Sequence, residues 1–175
     1  MRKRAEIAII LVLSGGLIGC DRLNEINQVL PTNSSPDVTA NTNTTPPTGL
    51  ELSVHQQINQ YRQDRNLPPL TLDSRISEQA RLHSQAMASG KVPFSHNGFD
   101  GRVKAINRVI TYSSAAENVA FNQGYSNPAK QAVEGWIKSK GHQINIVGQY
   151  NLTGIGVVKN AQGEYYFTQI FILSR

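Results

Sequence analysis

EGWIKSKGHQINI, residues 134–146, is the stretch of sequence on which the interpretation of this protein depends. Glu134 and His142 are eight residues apart in it. In one unbroken helix they would lie about 12 Å apart along the axis, too far to share an ion. Lys140-Gly141 offers a helix stop, so the chain can turn back and bring the imidazole towards the carboxylate. The spacing therefore predicts a shared site only if the helix ends near Ser139.

Two segments upstream carry side chains suited to the same site. One is Phe94-Ser95-His96, and the other is AENVA, residues 116–120. Two imidazoles and two carboxylates can converge on one centre and hold a cation or move a proton. The four candidates are His96, Glu117, Glu134 and His142.

Each of these four side chains also has an ordinary structural interpretation. The two histidines can cap carbonyl groups at helix ends, as imidazoles often do. The two glutamates can be solvated, or they can pair with a nearby base such as Arg102, Arg108 or Lys138. Spacing alone leaves both interpretations open.

Hydrophobic periodicity predicts four helices before the C-terminus. They are expected over 50–66, from a cap at Asp73 or Ser74 to Ser89-Gly90, over 100–110, and from Asn127-Pro128 to near Ser139. His83 lies in the apolar stripe of the second helix, which predicts a buried, hydrogen-bonded ring, whereas His55 is predicted to lie on the surface.

The C-terminus changes to the two-residue period of β strands. Residues 154–159 and 164–173 are rich in Ile, Val, Tyr and Phe, with a turn at 160–163. Residues 118–121 are predicted to form a further strand or an extended loop. The span 50–175 has the size of one domain with one core.

These motifs together resemble the bacterial CAP (SCP-like) domains, whose superfamily includes cysteine-rich secretory proteins, antigen 5 proteins and group 1 plant pathogenesis-related proteins. The resemblance covers residues 52–173. It rests on His96, Glu117-Asn118, Glu134-x-Trp136, and Ser139-x-Gly-His142 followed by Asn145-Ile146. It implies an α+β fold: a three-layer α-β-α sandwich with a central antiparallel sheet.

The resemblance also implies a cleft that holds His96, Glu117, Glu134 and His142 as a tetrad. In relatives this cleft can hold a divalent cation, most often zinc, and here His96 and His142 would be the metal ligands. The chain departs from many relatives in Lys140, where they have Pro, and in a short 96–102 segment. Its single Cys excludes the intrachain disulfides of the eukaryotic members.

The first 19 residues have the layout of a lipoprotein signal. Basic residues at 2–4 precede an apolar core at 7–13, and Leu17-Ile18-Gly19-Cys20 resembles the lipobox, in which the Cys is acylated and becomes the new N-terminus. The apolar stretch is too short and too interrupted for a good spanning helix of about 20 residues. We therefore predict export and attachment to a membrane of the cell envelope through a lipid on Cys20. An ordinary cleaved signal and an uncleaved anchor are the alternatives.

Cys20 and the segment up to residue 49 are predicted to form a lipidated, disordered linker. The segment is rich in Asn, Thr, Ser and Pro and has no aromatic residue, a composition that cannot offset the entropy of ordering. Its 29 residues (21–49) would span about 30 Å as a random coil. Residues 50–175 then form the CAP domain, which we expect to be monomeric.

Charge patterning argues against nucleic acid as a partner. Loss of the leader, with three basic residues and Glu6, would leave 14 basic and 11 acidic residues and a net charge of +3. These charges are scattered, and no basic run interleaves with aromatic residues.

Three functions remain open from the sequence. A binding module would use the cleft and its cation to take a lipid, peptide or carbohydrate ligand. A metal-dependent hydrolase would use the same groups as general base and water activator. A structural envelope protein would use neither. We favour binding, although the fold by itself does not decide.

Overall fold

The computed structural model describes residues 4–7, 12–14 and 45–175. In chain order the elements are β1 (Arg4–Ile7), β2 (Val12–Ser14), α1 (Gly49–Gln63), β3 (Thr71–Leu72), α2 (Ser74–Ala88), α3 (Phe99–Asn107), β4 (Tyr112–Gln123), α4 (Pro128–Lys138), α5 (Lys140–Val147), β5 (Leu152–Lys159) and β6 (Glu164–Ser174). No helix in the described part is both long enough and apolar enough to cross a membrane. Cys20 and the predicted linker as far as residue 44 lie outside the described residues.

The sheet is built around β6, which pairs antiparallel with β4 on one side and β5 on the other. The short β3 adds to β5 in parallel. On the other edge of the sheet, β1 and β2 pair antiparallel with β4. These two strands fall within the predicted leader, residues 1–19. The predicted central antiparallel sheet is confirmed, with β3 as its one parallel strand among those described.

Helices cover both faces of the sheet and complete the three-layer α-β-α sandwich. On one face α2 and α3 enclose a core that includes Ile76, Phe99, Val103, Ile106, Ala115, Ile170 and Ile172. On the other face α1, α4 and α5 enclose a core that includes Val54, Ile58, Ala116, Ala120, Trp136, Ile146, Phe167 and Phe171. Neighbouring residues of one strand point to opposite faces, so Ala115 and Ala116 belong to different cores.

Helix α2 lies directly on strand β5 because two glycines there have no side chain. A Cβ on Gly154 would overlap backbone atoms of Ile76 and Ser77, and a Cβ on Gly156 would overlap those of Ala80 and Arg81. The contact is fastened by Ser84, whose hydroxyl lies 2.9 Å from the carbonyl oxygen of Gly156. The glycines therefore set how closely one helical layer approaches the sheet.

Helix α1 begins with a capping box. The Thr48 hydroxyl accepts from the backbone N–H of Glu51, and the Glu51 carboxylate accepts from that of Thr48. Arg81 of α2 pairs with the same carboxylate at 2.8 Å and also donates to the carbonyl oxygens of Thr45 and Pro46. Residues 45–49, which we assigned to the linker, thus contact the domain.

The predicted elements mostly match, and the differences have physical causes. Helix α1 ends at Gln63 rather than at 66, because Asp64 caps it and Asn66 has φ of +58°. The predicted strand or loop at 118–121 lies inside β4, a strand of 12 residues rich in Ala, Ser and Asn whose length is set by pairing with β6. The short strand β3 and helix α5 were not predicted from the sequence. Gly141, interpreted as a helix stop, lies inside α5.

The two remaining histidines differ in outcome. His83 is 4% exposed, and its Nε2 lies 2.8 Å from the carbonyl oxygen of Ser95, so the predicted buried ring is confirmed. His55 is half-buried, and its Nε2 lies 2.8 Å from the carbonyl oxygen of Leu70. His55, predicted to lie on the surface, is thus partly exposed and hydrogen-bonded to the loop after α1.

Candidate functional site

Strand β4 places a carboxylate and an amide on opposite faces of the sheet at adjacent positions. Glu117 is paired across the sheet with Ile170 and faces the layer of α2 and α3. Asn118 faces α5, where its Nδ2 donates to the carbonyl oxygen of His142 at 3.2 Å. Both side chains are fully buried, so each must find its partners inside the protein.

The Glu117 carboxylate is held by two side chains. Arg102 of α3 donates from Nη2 to Oε1 and from Nε to Oε2, both at 2.8 Å, in a bidentate arrangement. His96 Nδ1 lies 2.9 Å from Oε1. The guanidinium of Arg102 thus compensates the buried negative charge of Glu117, and the carboxylate orients the imidazole of His96.

His96 is fixed on both its backbone and its ring. It lies in the loop between α2 and α3, and Arg102 Nη1 and Nη2 donate to the carbonyl oxygens of Asn97 and His96 at 2.9 and 3.3 Å. Because a buried carboxylate accepts at Nδ1, the neutral ring carries its proton there and keeps a lone pair on Nε2. Nε2 is buried and has no hydrogen-bond partner among the described residues. An oriented imidazole with an unused lone pair suits a metal ligand, a general base or a hydrogen-bond acceptor.

His83 supports this loop from α2. Its ring nitrogen Nε2 forms a hydrogen bond with the carbonyl oxygen of Ser95, the residue before His96. Burial and the nearby positive charge of Arg102 lower the pKa of His83. The ring is therefore kept neutral beside the Glu117–Arg102 pair.

His142 lies on α5, in the other helical layer. The ring is 2% exposed, and Nδ1 lies 2.7 Å from the Ser139 hydroxyl at the N-terminus of the same helix. Asn145 Nδ2 donates to Asn118 Oδ1 at 2.9 Å and to the carbonyl oxygen of Glu117 at 3.3 Å. These amide contacts join α5 to Glu117 and Asn118 of β4. Glu117 is also the residue whose carboxylate contacts His96.

Glu134 is placed elsewhere. Trp136 is fully buried and donates from Nε1 to the carbonyl oxygen of Val119 at 2.9 Å. Two residues in a helix differ by about 200°, so the Glu134 side chain points away from that contact. It is 45% exposed and lies 3.8 Å from Lys130 Nζ.

Of the four predicted site residues, the structure joins His96 to Glu117 directly and links α5, with His142, to the same strand through Asn118 and Asn145. Glu134 does not join them. The part of the chain that the structure describes contains no cluster of three or more His, Cys, Asp or Glu suited to a metal ion.

From the sequence, Arg102 was only one possible partner for a glutamate, and Ser139 was named only as a helix end and as part of the motif before His142. The i, i+3 spacing of Ser139 and His142 could have indicated their contact.

Comparison with known proteins agrees with this architecture. The family model "CAP: Cysteine-rich secretory protein family" matches residues 55–171. The chain belongs to the CAP family. The curated relative YkwD of Bacillus subtilis strain 168, described as an uncharacterized protein, is 36% identical over 141 residues, which cover 75% of this chain and 51% of YkwD. This CAP-family chain thus matches about half the length of that relative.

Two solved structures have the same fold. An extracellular protein containing an SCP domain from Bacillus anthracis is 27% identical with a TM-score of 0.60, over 71% of this chain and 40% of that one. An outer surface protein from Borrelia burgdorferi is 14% identical with a TM-score of 0.60, over 74% of this chain and 97% of that one. The second similarity is one of fold alone.

Proposed function

We propose that this CAP-family protein is an exported, lipid-anchored binding module whose ligand contacts His96. The observation that carries the proposal is the buried Nε2 of His96, which has no partner among the described residues while Nδ1 is held by Glu117. Orienting an imidazole with a buried carboxylate has an energetic cost that core packing alone would not require. A ligand that engages Nε2 accounts for the arrangement.

We propose that Nε2 of His96 binds a divalent cation, with zinc as the first candidate. A histidine ligand commonly donates its other ring N–H to a carboxylate, which fixes the tautomer and raises basicity, and Glu117 stands in that relation to His96. The proposed second ligand is His142. Glu117 is occupied by Arg102 and His96, and Glu134 pairs with Lys130. Coordination by two imidazoles would leave positions open for water or for a group of the ligand, which we propose is a lipid, peptide or carbohydrate.

Zinc titration by calorimetry tests the site. The wild type is expected to bind, the His96→Ala/His142→Ala variant to lose zinc binding, and each single variant to be weakened. His55→Gln is the matched control, since His55 is not one of the proposed ligands and its Nε2 contacts the carbonyl oxygen of Leu70 instead, and it should bind as the wild type does. Equal zinc affinity in the double variant and the wild type would exclude the shared metal site.

A hydrolase is the second candidate, favoured by the same His96–Glu117 pair, because an imidazole oriented by a carboxylate is a common general base. Hydrolysis of envelope esters or peptides that is lost on chelation and in His96→Ala would favour it over simple binding. Unchanged turnover in His96→Ala would exclude this base.

The proposed export is supported by the leader and by the similarity to the Bacillus anthracis protein described as extracellular. The proposed lipid anchor rests on the leader alone. Cys20→Ser should abolish incorporation of labelled fatty acid and move the protein out of the detergent phase. Continued labelling of the variant would contradict a lipid on Cys20.

A further inference from the structure

A cavity lies away from the His96–Glu117 pair, where α1 ends and the chain passes from α5 to β5. It has a volume of about 380 Å³. Its walls are largely apolar and include Leu67, Pro68, Pro69, Tyr150 and Leu173, with Arg62 beside them. None of the residues of the candidate site lines it.

Arg62 brings an unusual charge to this cavity. The residue is 1% exposed, and its guanidinium donates only to backbone carbonyl oxygens: Nε to Pro68 at 2.9 Å, Nη1 to Ile146 at 2.8 Å and to Gly148 at 2.9 Å, and Nη2 to Tyr150 at 3.3 Å. No carboxylate among the described residues pairs with it. A guanidinium has five N–H donors, so one on Nη2 remains without an acceptor in residues 45–175.

The rest of the lining does not neutralise that charge. No Asp or Glu contributes to it. Gly148 has no side chain, and a Cβ there would overlap the Tyr150 ring. That ring packs on Phe171 with the centroids 5.6 Å apart, and within the described chain its hydroxyl has no hydrogen-bond partner. The cavity thus offers two donors and a buried positive charge between apolar walls.

We propose that this cavity binds a small organic acid with a compact apolar body. Its carboxylate would accept from Arg62 and from the Tyr150 hydroxyl, and the hydrocarbon would lie against Leu67, Pro69 and Leu173. Two donors match the two oxygens of one carboxylate, and a buried cation without an ionic partner is stabilised most by an anion. If Arg62 served only to fix the loops around α1, its hydrogen bonds to the carbonyl oxygens would be sufficient. That role would require neither the cavity nor a Tyr150 hydroxyl without a partner in the described chain.

The test compares 3-cyclohexylpropanoate with its neutral amide, titrated into the full-length protein and followed through the backbone amide resonances of residues 148–151. The acid is expected to bind at least about tenfold more tightly than the amide. Gln149→Glu places a negative charge on an exposed rim position without removing a contact, and it should weaken the acid about fivefold or more. Gln162→Glu, the same change in the turn between β5 and β6, is the matched control and should leave the affinity unchanged.

Tyr150→Phe keeps the ring on Phe171 and removes only the hydroxyl, so it should weaken the acid about threefold or more while the fold persists. Equal affinity for acid and amide, or no shift with either compound, would overturn the proposal. Equal effects of Gln149→Glu and Gln162→Glu would overturn it as well. Because His96 and His142 lie outside the cavity, zinc binding at the first site is not affected by any of these outcomes.

Discussion

The individual residues around Glu117 illustrate how a buried charge is made tolerable. The carboxylate is fully buried from the solvent and is held by Arg102 through two hydrogen bonds and by His96 through a third. Removal of one partner leaves the other charge buried and unpaired, which costs more than the pair contributes as a whole. The contacts of Glu117 with Arg102 and His96 therefore both orient the His96 ring and contribute to the stability of the fold.

Glu117→Gln tests that balance. The amide keeps the size of the side chain but leaves the Arg102 charge unpaired, so the free energy of unfolding should fall by about 3 kcal/mol. Glu134→Gln is the matched control, and at its half-exposed position it should change stability by less than about 0.5 kcal/mol. Urea denaturation of both variants measures the difference, and similar losses in the two would show that Glu117 is not the critical carboxylate.

His83 predicts a pH dependence of stability. Its pKa is lowered in the folded state by burial and by Arg102. At a pH between the native and the unfolded pKa, the unfolded chain therefore binds a proton at His83 that the native ring does not bind. This contribution is therefore fully present above the unfolded pKa of about 6.5 and is lost as the pH falls below it, until the pH reaches the native pKa.

His83→Gln keeps a donor for the Ser95 carbonyl oxygen and cannot titrate. Unfolding free energies of wild type and variant between pH 8 and pH 5 should converge as the pH falls. A difference between the two that stays constant over this range would contradict a neutral buried His83.

Among the elements, the contact of α2 with β5 depends most strictly on residue size. Gly154 and Gly156 lie under the helix backbone, and Ser84 donates into the same contact. The position of α2 in turn sets the loop that carries His96, through the bond of His83 to Ser95. Small residues in a strand thus position a side chain in the site.

Gly156→Ala should push α2 away from the sheet, because the added methyl group would overlap the backbone at Ala80 and Arg81. We expect a loss of about 2–3 kcal/mol in thermal or urea unfolding. Gly101→Ala is the control, since a Cβ there has open space on the exposed face of α3, and this change should be neutral or slightly stabilising. Equal stability of the two variants would show that the sheet can relax around the helix.

At the scale of the whole molecule, residues 45–49, which the sequence assigned to the linker, contact the domain. Thr48 caps α1, and Arg81 joins the Glu51 carboxylate to the carbonyl oxygens of Thr45 and Pro46. The fully buried Glu51 also accepts from the backbone N–H of Val157. The segment before α1 is thereby connected to a helix and a strand of the sandwich.

A fragment of residues 45–175 should accordingly unfold in one cooperative transition and be more stable than a fragment of residues 50–175. Loss of the Thr48 cap alone should cost about 1 kcal/mol, and the loss of the Arg81 contacts adds to it. Thermal unfolding of both fragments as monomers measures this. Identical midpoints would assign residues 45–49 to the linker after all.

Much of this architecture follows from local rules that the sequence states directly. The helix cap at Asn127, the buried His83 and the C-terminal hairpin depend on residue spacing and turn chemistry, so they were predicted correctly. For the second helix the sequence left Asp73 and Ser74 as alternative caps, and the structure selects Asp73. The motifs also indicated the CAP family and its three-layer sandwich.

Only the tertiary structure decided how the candidate site is assembled. Strand β4 is poor in β-branched residues, and its length comes from pairing with β6, a contact between distant parts of the chain. Glu134 and Trp136 lie two residues apart, and burial of the larger apolar side chain turned the carboxylate outward to Lys130. Arg102 became the partner of Glu117 because packing of α3 on the sheet brought it there, and a buried carboxylate requires a positive partner. Local sequence fixes which groups are available, whereas burial and long-range pairing select which of them meet.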